Sequence, residues 1–320
     1  MSQPAPEWLI AEVRRAKRGT GAEMVAQTSD LLDRLHLPTV CDTQDVISET
    51  IERRLALSPV SGLTRLLEER VLLRVKKLEP RILNSYTQLI CVTERDVQTL
   101  KFKMGVETPA VAIATLRDRE KITYENRKDL PGTILFFGAL HNPINKDAAT
   151  FAAIHLFPEI RRVCPNATLT IAGSNAGAEV ECLRSLDGVT VVHDLSTTAL
   201  TELIHNARVV LLPLRMGAGI KGRVIEAMEA GTPVVGTSIA AEGIPVRHGK
   251  EMIITDDPHE LVRATCQILE NDVLRNIISQ NARSFVETEY SWKRSYGRVH
   301  ECIDTAITTH NARKLSTRKL

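Results

Sequence analysis

Residues 215–226, RMGAGIKGRVIE, concentrate the residue types that could do chemistry. The apolar run VVLLPL at 209–214 precedes them and reads as a strand. Gly217 and Gly219 would let backbone amides come close to a ligand. A helix expected to open near Ile220 would present unpaired N–H groups and about half a positive charge there. Arg215 and Lys221 add mobile cationic side chains. Glu226 lies five residues after Lys221, about 1.4 turns along a helix, where a carboxylate can accept two hydrogen bonds from a ribose diol. The set suits a nucleoside diphosphate. The same residues also spell G-x-G-x-x-G at Gly217, Gly219 and Gly222, the spacing of a dinucleotide site. That fingerprint normally follows the first strand of its domain and looks to an acid at the end of the next strand. Here it follows about the fourth, and PVVGTS offers no acid before Glu242. A third reading is a glycine-rich turn with a solvated Lys and Glu, and bare spacing does not separate it from the cradle.

The elements that must position these residues are regular from about residue 130. Short β-branched runs occur at 133–137, 167–173, 189–192, 209–214, 233–237 and 252–255. Their near-continuous apolar character is that of strands covered on both faces. Helices are expected near 147–157, 176–186, 196–206, 220–230 and 258–270, and almost to the C-terminus thereafter. This alternation dictates a parallel sheet with right-handed crossovers, whose ligands bind beyond the carboxyl ends of the strands. The first 125 residues offer PTVC at 38–41, QLICV at 88–92 and AVAIA at 110–114 as strands. They also offer a long amphipathic helix over 62–84, carried by Leu63, Leu66, Leu67, Val71, Val75, Leu78 and Ile82, and an N-cap at Thr93 with Asp96. Three strands are few for a free-standing doubly wound domain. The turn-rich ENRKDLPG at 125–132 suggests a partial, Rossmann-like N-terminal domain over 1–125, a doubly wound domain over 126–296, and a terminal helix with a basic tail over 297–320.

Composition narrows the classes of function. With 320 residues, 43% apolar and 25% charged, the chain fits a soluble two-domain protein. No run approaches 18 apolar residues, and the N-terminus lacks the apolar core of a signal peptide, so a cytoplasmic location is expected. A net charge of +2 and 4% aromatic residues argue against a nucleic-acid partner. The six cysteines are scattered and read as reduced thiols, and the histidines show no metal-ligand spacing, so no metal is expected.

Over 133–296 the chain resembles the nucleotide-sugar-binding domain of family 4 retaining glycosyltransferases, whose fold is GT-B. The likeness rests on FFGALHNPINKDA (136–148), LTIAGS (169–174), VTVVHDL (189–195), LLPLRMGAGIKGRVIEAMEAGTPVV (211–235), AAEGI (240–244) and YSW (290–292), in that order. A weaker resemblance runs over 38–115, in PTVCDTQDVISE and LICVTERDVQTL. The resemblance implies an α/β, GT-B-like fold with an incomplete N-terminal half. It implies a hexosyltransferase-like enzyme that moves a sugar from a nucleotide-diphosphate sugar (UDP-, GDP- or another) to a saccharide, lipid-linked or protein acceptor. Anomeric configuration would be retained, and neither metal nor cofactor is implied. Residue by residue, Glu226 would hold the ribose as the second glutamate of a Glu-seven-residues-Glu pattern, and Lys221 and Arg215 would hold the diphosphate, against the amides of Gly217 and Gly219. Gly138 and its loop would cover the phosphates, with Asn145 and Lys146 as polar contacts. His193, Asp194 and Leu195 would frame the base. Gln44 and Lys221 are the catalytic candidates beside the sugar, and charge leaving with the diphosphate would be stabilised by cations and the helix dipole.

The departures from that pattern matter as much. Ala218 stands where the first glutamate is expected, Ala139 replaces a basic residue, and Gln44 replaces a histidine. The first strand of a GT-B N-terminal domain has no counterpart. These motivate an alternative, a catalytically degenerate relative serving as a binding or partner subunit, its incomplete sheet covered in a homo-oligomer or by another chain. An epimerase of the same architecture would need acid–base carboxylates and histidines, and no such set is found. His141, His155 and His205 read as surface or core residues, and Tyr290 and Trp292 as packing between domains. The basic pairs Arg14–Arg15, Arg53–Arg54 and Lys76–Lys77 read as solvated faces, or as peripheral contacts to anionic lipid at the inner membrane surface.

Overall fold

The computed structural model describes residues 37–43, 45–57, 62–113, 130–217 and 219–317. Gln44, Ala218, Arg14–Arg15 and most of the turn-rich stretch at 125–132 lie outside the described residues. The chain divides into two compact units: Met1–Thr115 together with Lys293–Leu320, and Leu116–Trp292. The last helix therefore groups with the first unit. Among the described residues no helix is long and apolar enough to cross a membrane.

The first unit holds three parallel strands, β1 (Val40–Thr43), β2 (Gln88–Cys91) and β3 (Ala110–Ala112), in that spatial order. Two helices, α1 (Ile47–Leu57) and α2 (Gly62–Leu83), connect the first two strands. The short α3 (Glu94–Gln98) runs into a wider π turn over Thr99–Lys103. Leu83, Leu89, Cys91 and Leu100 form the centre of its core. The cap expected at Thr93 is present: its hydroxyl accepts from the Asp96 amide at 2.9 Å and donates to the Asp96 carboxylate at 2.7 Å. Burial is the largest cause that pushes the Cys41 and Cys91 thiols up to about 11, and all six cysteines are free thiols.

The length of α2 matches the sequence reading, but its packing does not. Leu63, Leu66, Leu67, Val71 and Leu78 are exposed, and only Glu79 and Leu83 are buried. The reason is a buried carboxylate. Glu79 accepts from the amides of Ile47 at 2.7 Å and Ser48 at 3.0 Å. Those amides are orphan donors at the start of α1, where a negative charge is also favoured by the helix dipole. Seating Glu79 there turns the leucine-rich side of α2 outward.

In the second unit the apolar runs form six parallel strands: β4 (Thr133–Phe137), β5 (Thr168–Gly173), β6 (Val189–His193), β7 (Val209–Leu212), β8 (Val234–Gly236) and β9 (Ile253–Ile254). Their order is β6-β5-β4-β7-β8-β9. All four residues of β7 are fully buried, as continuous apolar runs require. Helix α4 (Pro143–Phe151) passes through a π turn into α5 (Phe157–Val163). It starts four residues earlier than expected, because the Asn142 side chain caps it by accepting from the Ile144 amide at 2.9 Å and Pro143 fits the first turn. The remaining helices are α6 (Ala178–Glu181), α7 (Thr197–Asn206), α8 (Gly222–Glu229), α9 (Pro258–Glu270) and α10 (Asp272–Glu289), with α11 (Trp292–Thr317) closing the chain.

Past β4 the chain lies across the end of β5. The Gly138 amide donates to Ala172 O at 3.0 Å, and the Leu140 amide to Ser174 O at 3.0 Å. A Cβ on Gly173 would sit 1.8 Å from the Gly138 carbonyl oxygen, so no side chain fits there without moving backbone. Replacing Gly173 with Ala is expected to cost about 1–3 kcal/mol, the usual range for overpacking, read as a fall in the urea midpoint. Glu79→Ala leaves two buried amides without an acceptor and should cost about 1–3 kcal/mol. Glu79→Gln, which keeps an acceptor, should recover part of that loss in the same measurement.

Candidate functional site

The order of the second sheet places β4 beside β7, with β5 and β6 on one side and β8 and β9 on the other. This is the point where connections run off in opposite directions, leaving a crevice beyond the carboxyl ends of the strands. The chain leaving β4 passes Gly138 and enters α4. The chain leaving β7 passes residues 213–221 and enters α8. Both helices thus begin at the same place, and no side chain caps α8.

Lys221 immediately precedes α8 and is buried. Its ammonium donates to Gly219 O at 2.6 Å. Gly217 and Gly219 have φ of +130° and +72°, a region that favours glycine. A Cβ on Gly217 would meet Lys221 Cε at 3.3 Å and Ile144 Cδ1 at 3.6 Å. The loop therefore wraps around the lysine, where the sequence reading had a mobile charge. The helix opens at Gly222 rather than near Ile220, since Lys221 itself takes a non-helical backbone conformation.

Arg215 is exposed but held. Its guanidinium makes two contacts with Asp147 of α4, Nε to Oδ2 at 3.0 Å and Nη2 to Oδ1 at 2.5 Å, and lies 4.4 Å from the centroid of the Phe151 ring. A guanidinium fork aimed at a carboxylate has the geometry that also takes a phosphate.

Arg223, in the first turn of α8, is the residue sequence reasoning missed. Its Nη2 donates to Asn145 Oδ1 at 2.6 Å and its Nη1 to Phe137 O at 3.2 Å. Asn145 is 2% exposed and donates in turn to Ala139 O at 2.9 Å. Asn145 thus clamps the loop after β4 from below. A Cβ on Gly138 would lie 2.6 Å from Arg223 Nη1, so glycine is what admits the guanidinium there. Burial lowers the Arg223 pKa below its usual value, and the Glu226 carboxylate pulls the other way. The signal in the sequence was a cation two residues after Lys221 and three before Glu226, the spacing of neighbours on a helix face. Glu226 itself is half-buried in α8.

The structure therefore brings Gly138, Asn145, Arg215, Gly217, Gly219, Lys221, Arg223 and Glu226 onto the two loops and two helix starts at the β4–β7 switch. Lys146 is turned to Glu179, at 2.8 Å. His193 ends β6 in register with Gly173, exposed between Glu181 and Asp194 at 3.1 Å each, with Leu195 half-buried beyond it. His141 is exposed, His155 lies tilted against Phe151 with centroids 5.4 Å apart, and His205 is buried in α7. Among the described residues no group of three or more His, Cys, Asp or Glu is placed to hold a metal ion. Positive helix ends and three cations at one crevice can hold an anion with more than one charge.

Residues 131–271 match the family model described as Glycosyl transferases group 1. The chain is 26% identical over 172 residues to an uncharacterized 44.6 kDa protein in the cps region of Klebsiella pneumoniae, covering 52% of this chain and 44% of that protein. It is 28% identical over 173 residues to the glycogen synthase of Mycobacterium tuberculosis, covering 51% and 40%. The matched part thus spans less than half the length of these curated relatives. In structure it is similar to HepE of Anabaena, solved in complex with UDP, with a TM-score of 0.67 at 15% identity, covering 92% of this chain and 80% of that one. The chain has the GT-B fold of its structural neighbours, and over residues 131–271 it is similar to the Glycosyl transferases group 1 family.

Proposed function

We propose that the second unit binds a nucleotide-diphosphate sugar at the β4–β7 switch, and that the chain is a retaining, metal-independent glycosyltransferase. The observation that carries this reading is the meeting of Lys221, Arg223 and Arg215 with the N-terminal ends of α4 and α8. The likeness to a structure that holds UDP supports it. In this reading the diphosphate lies over the start of α8. Arg215 exchanges the Asp147 carboxylate for a phosphate, and Lys221 turns its ammonium from Gly219 O to the same group. Arg223 keeps the loop after β4 in place. Glu226 accepts hydrogen bonds from the ribose hydroxyls, and His193, Asp194 and Leu195 border the base. As the glycosidic C–O bond breaks, negative charge builds on the departing diphosphate, where fixed cations and helix dipoles stabilise it without reorganisation. The acceptor hydroxyl attacks from the face the leaving group vacates and gives its proton to a diphosphate oxygen. Protein cations supply the neutralisation that a divalent ion would otherwise bring.

A second reading, a binding or partner subunit without turnover, is favoured by Ala218 in place of a carboxylate and by the three-stranded sheet of the first unit among the described residues. Release of nucleoside diphosphate from a labelled donor separates the two: turnover by the purified chain excludes the subunit reading.

Isothermal titration of the full chain with UDP, GDP and their sugars is expected to show binding by at least one, and no heat from folded protein would overturn the proposal. Glu226→Ala should weaken that binding by about 1–3 kcal/mol. Arg223→Met should lower both nucleotide affinity and thermal stability, because Asn145 Oδ1 and Phe137 O lose their donor. Arg215→Ala, whose ion pair is exposed, should lower affinity while changing stability by less than about 0.5 kcal/mol.

A further inference from the structure

We infer that the outward face of α2 is a docking surface for an anionic lipid membrane. Six aliphatic side chains of this helix, Leu63, Leu66, Leu67, Val71, Leu73 and Leu78, are 48–72% exposed. At about 100° per residue they fall within an arc of roughly 160°, opposite the side that buries Glu79 and Leu83. Four exposed cations, Arg70, Arg74, Lys77 and Arg81, lie on the same arc. Its acidic residues, Glu68, Glu69 and Glu79, all lie off it. The helix's other two bases also lie off the arc and are paired, Arg65 with Glu69 at 3.0 Å and Lys76 with Glu52 at 2.8 Å. None of the four arc cations makes an ion pair with a described residue. The helix therefore neutralises its bases everywhere except among its exposed leucines.

The chemistry of the arc selects its occupant. It carries no aromatic residue and no uncharged hydrogen-bonding side chain, whereas protein–protein interfaces are anchored by aromatics and depleted in charge at their centres. A second copy of the same face would set four cations against four. Leucines between long cationic side chains are what a helix lying in the plane of a membrane needs: the aliphatic groups enter the acyl boundary, and Lys and Arg reach up to anionic headgroups. The 22 residues of α2 give a contact about 33 Å long. Of the basic pairs singled out from the sequence, only Lys77 serves, since Lys76 is paired with Glu52 and Arg53 with Glu49. The inference is independent of the nucleotide site.

Co-sedimentation of the full chain with phosphatidylcholine vesicles, with and without phosphatidylglycerol, tests it. Binding to the anionic vesicles alone, weakening as salt is raised, is expected. Arg70→Ser with Arg74→Ser should weaken binding roughly 30-fold, and Leu63→Ser with Leu67→Ser roughly tenfold or more, each with an unchanged circular dichroism spectrum. Leu67→Trp, which removes no apolar surface, should become quenched by brominated lipid in anionic vesicles only. Absence of binding at low salt, or binding that the leucine pair leaves untouched, overturns the inference. So does concentration-dependent self-association abolished by Leu63→Ser with Leu67→Ser, which would give the face to a second copy. Displacement of the chain from a soluble acidic protein by the same variants would give it to a protein partner.

Discussion

The candidate site depends on one half-buried guanidinium. Arg223 sits where β4 and β7 part company, and charge in such a place is costly unless its hydrogen bonds are met. Phe137 O and Asn145 Oδ1 meet two of them, and both are neutral oxygens. Lys221 repeats the solution on the other loop, with Gly219 O as its acceptor. Neutral acceptors satisfy these donors, and the Glu226 carboxylate adds a favourable charge beside Arg223. Two adjacent helix starts add partial positive charge of the same sign. A polyanion is the natural complement to such a crevice, and the scaffold fixes its cations in place on Gly219 O, Phe137 O, Asn145 Oδ1 and the Asp147 carboxylate.

That fixation requires strand ends drawn unusually close. Gly173 faces the Gly138 carbonyl, and a Cβ on Gly236 would lie 2.9 Å from Leu212 O and 2.8 Å from Met252 Cε. Immediately after Gly236, the buried Thr237 hydroxyl donates to Leu214 O at 2.6 Å. The end of β8 thereby tethers the first residues of the loop that carries Arg215, Gly217 and Gly219. Glycine for close approach and threonine for a tether, the GT of PVVGT, convert sheet order into a fixed loop. The same logic governs the other side of the switch, where Asn142 caps α4 and Asn145 grips Ala139 O.

Much of this was legible in the amino-acid sequence, for identifiable reasons. The strands of the second unit could be read because burial on both faces leaves no polar alternation to confuse them, and β7 is the clearest case. Lys221 and Glu226 could be chosen because a glycine loop before a helix has few other uses for them. Arg223 could not, because its partners lie 86 and 78 residues away, and a lone arginine in a first turn usually faces solvent. The partners of Arg215 and Lys221 were hidden for the same reason: Asp147 and the Gly219 carbonyl reach them only once the sheet has formed. The helix over 62–84 was legible in extent but not in orientation, since aliphatic residues lie all around it.

What decides that orientation is Glu79. A helix with leucines on most of its circumference gains nearly as much from burying one side as another, so hydrophobic burial alone leaves its rotation poorly determined. A carboxylate is different. Buried without donors it would cost several kcal/mol, whereas at the start of α1 it meets two amides that also lack partners. Turning α2 by one residue, about 100°, would break both hydrogen bonds and carry Glu79 away from the two amides that satisfy it. The polar contact thus selects among apolar packings of similar worth, and in selecting one it commits the arc of Leu63, Leu67 and Leu78, with Arg70 and Arg74 among them, to the outside. The exposure of that face is therefore a consequence of how α1 and α2 are joined, held in place by the same buried carboxylate that accepts from the first amides of α1.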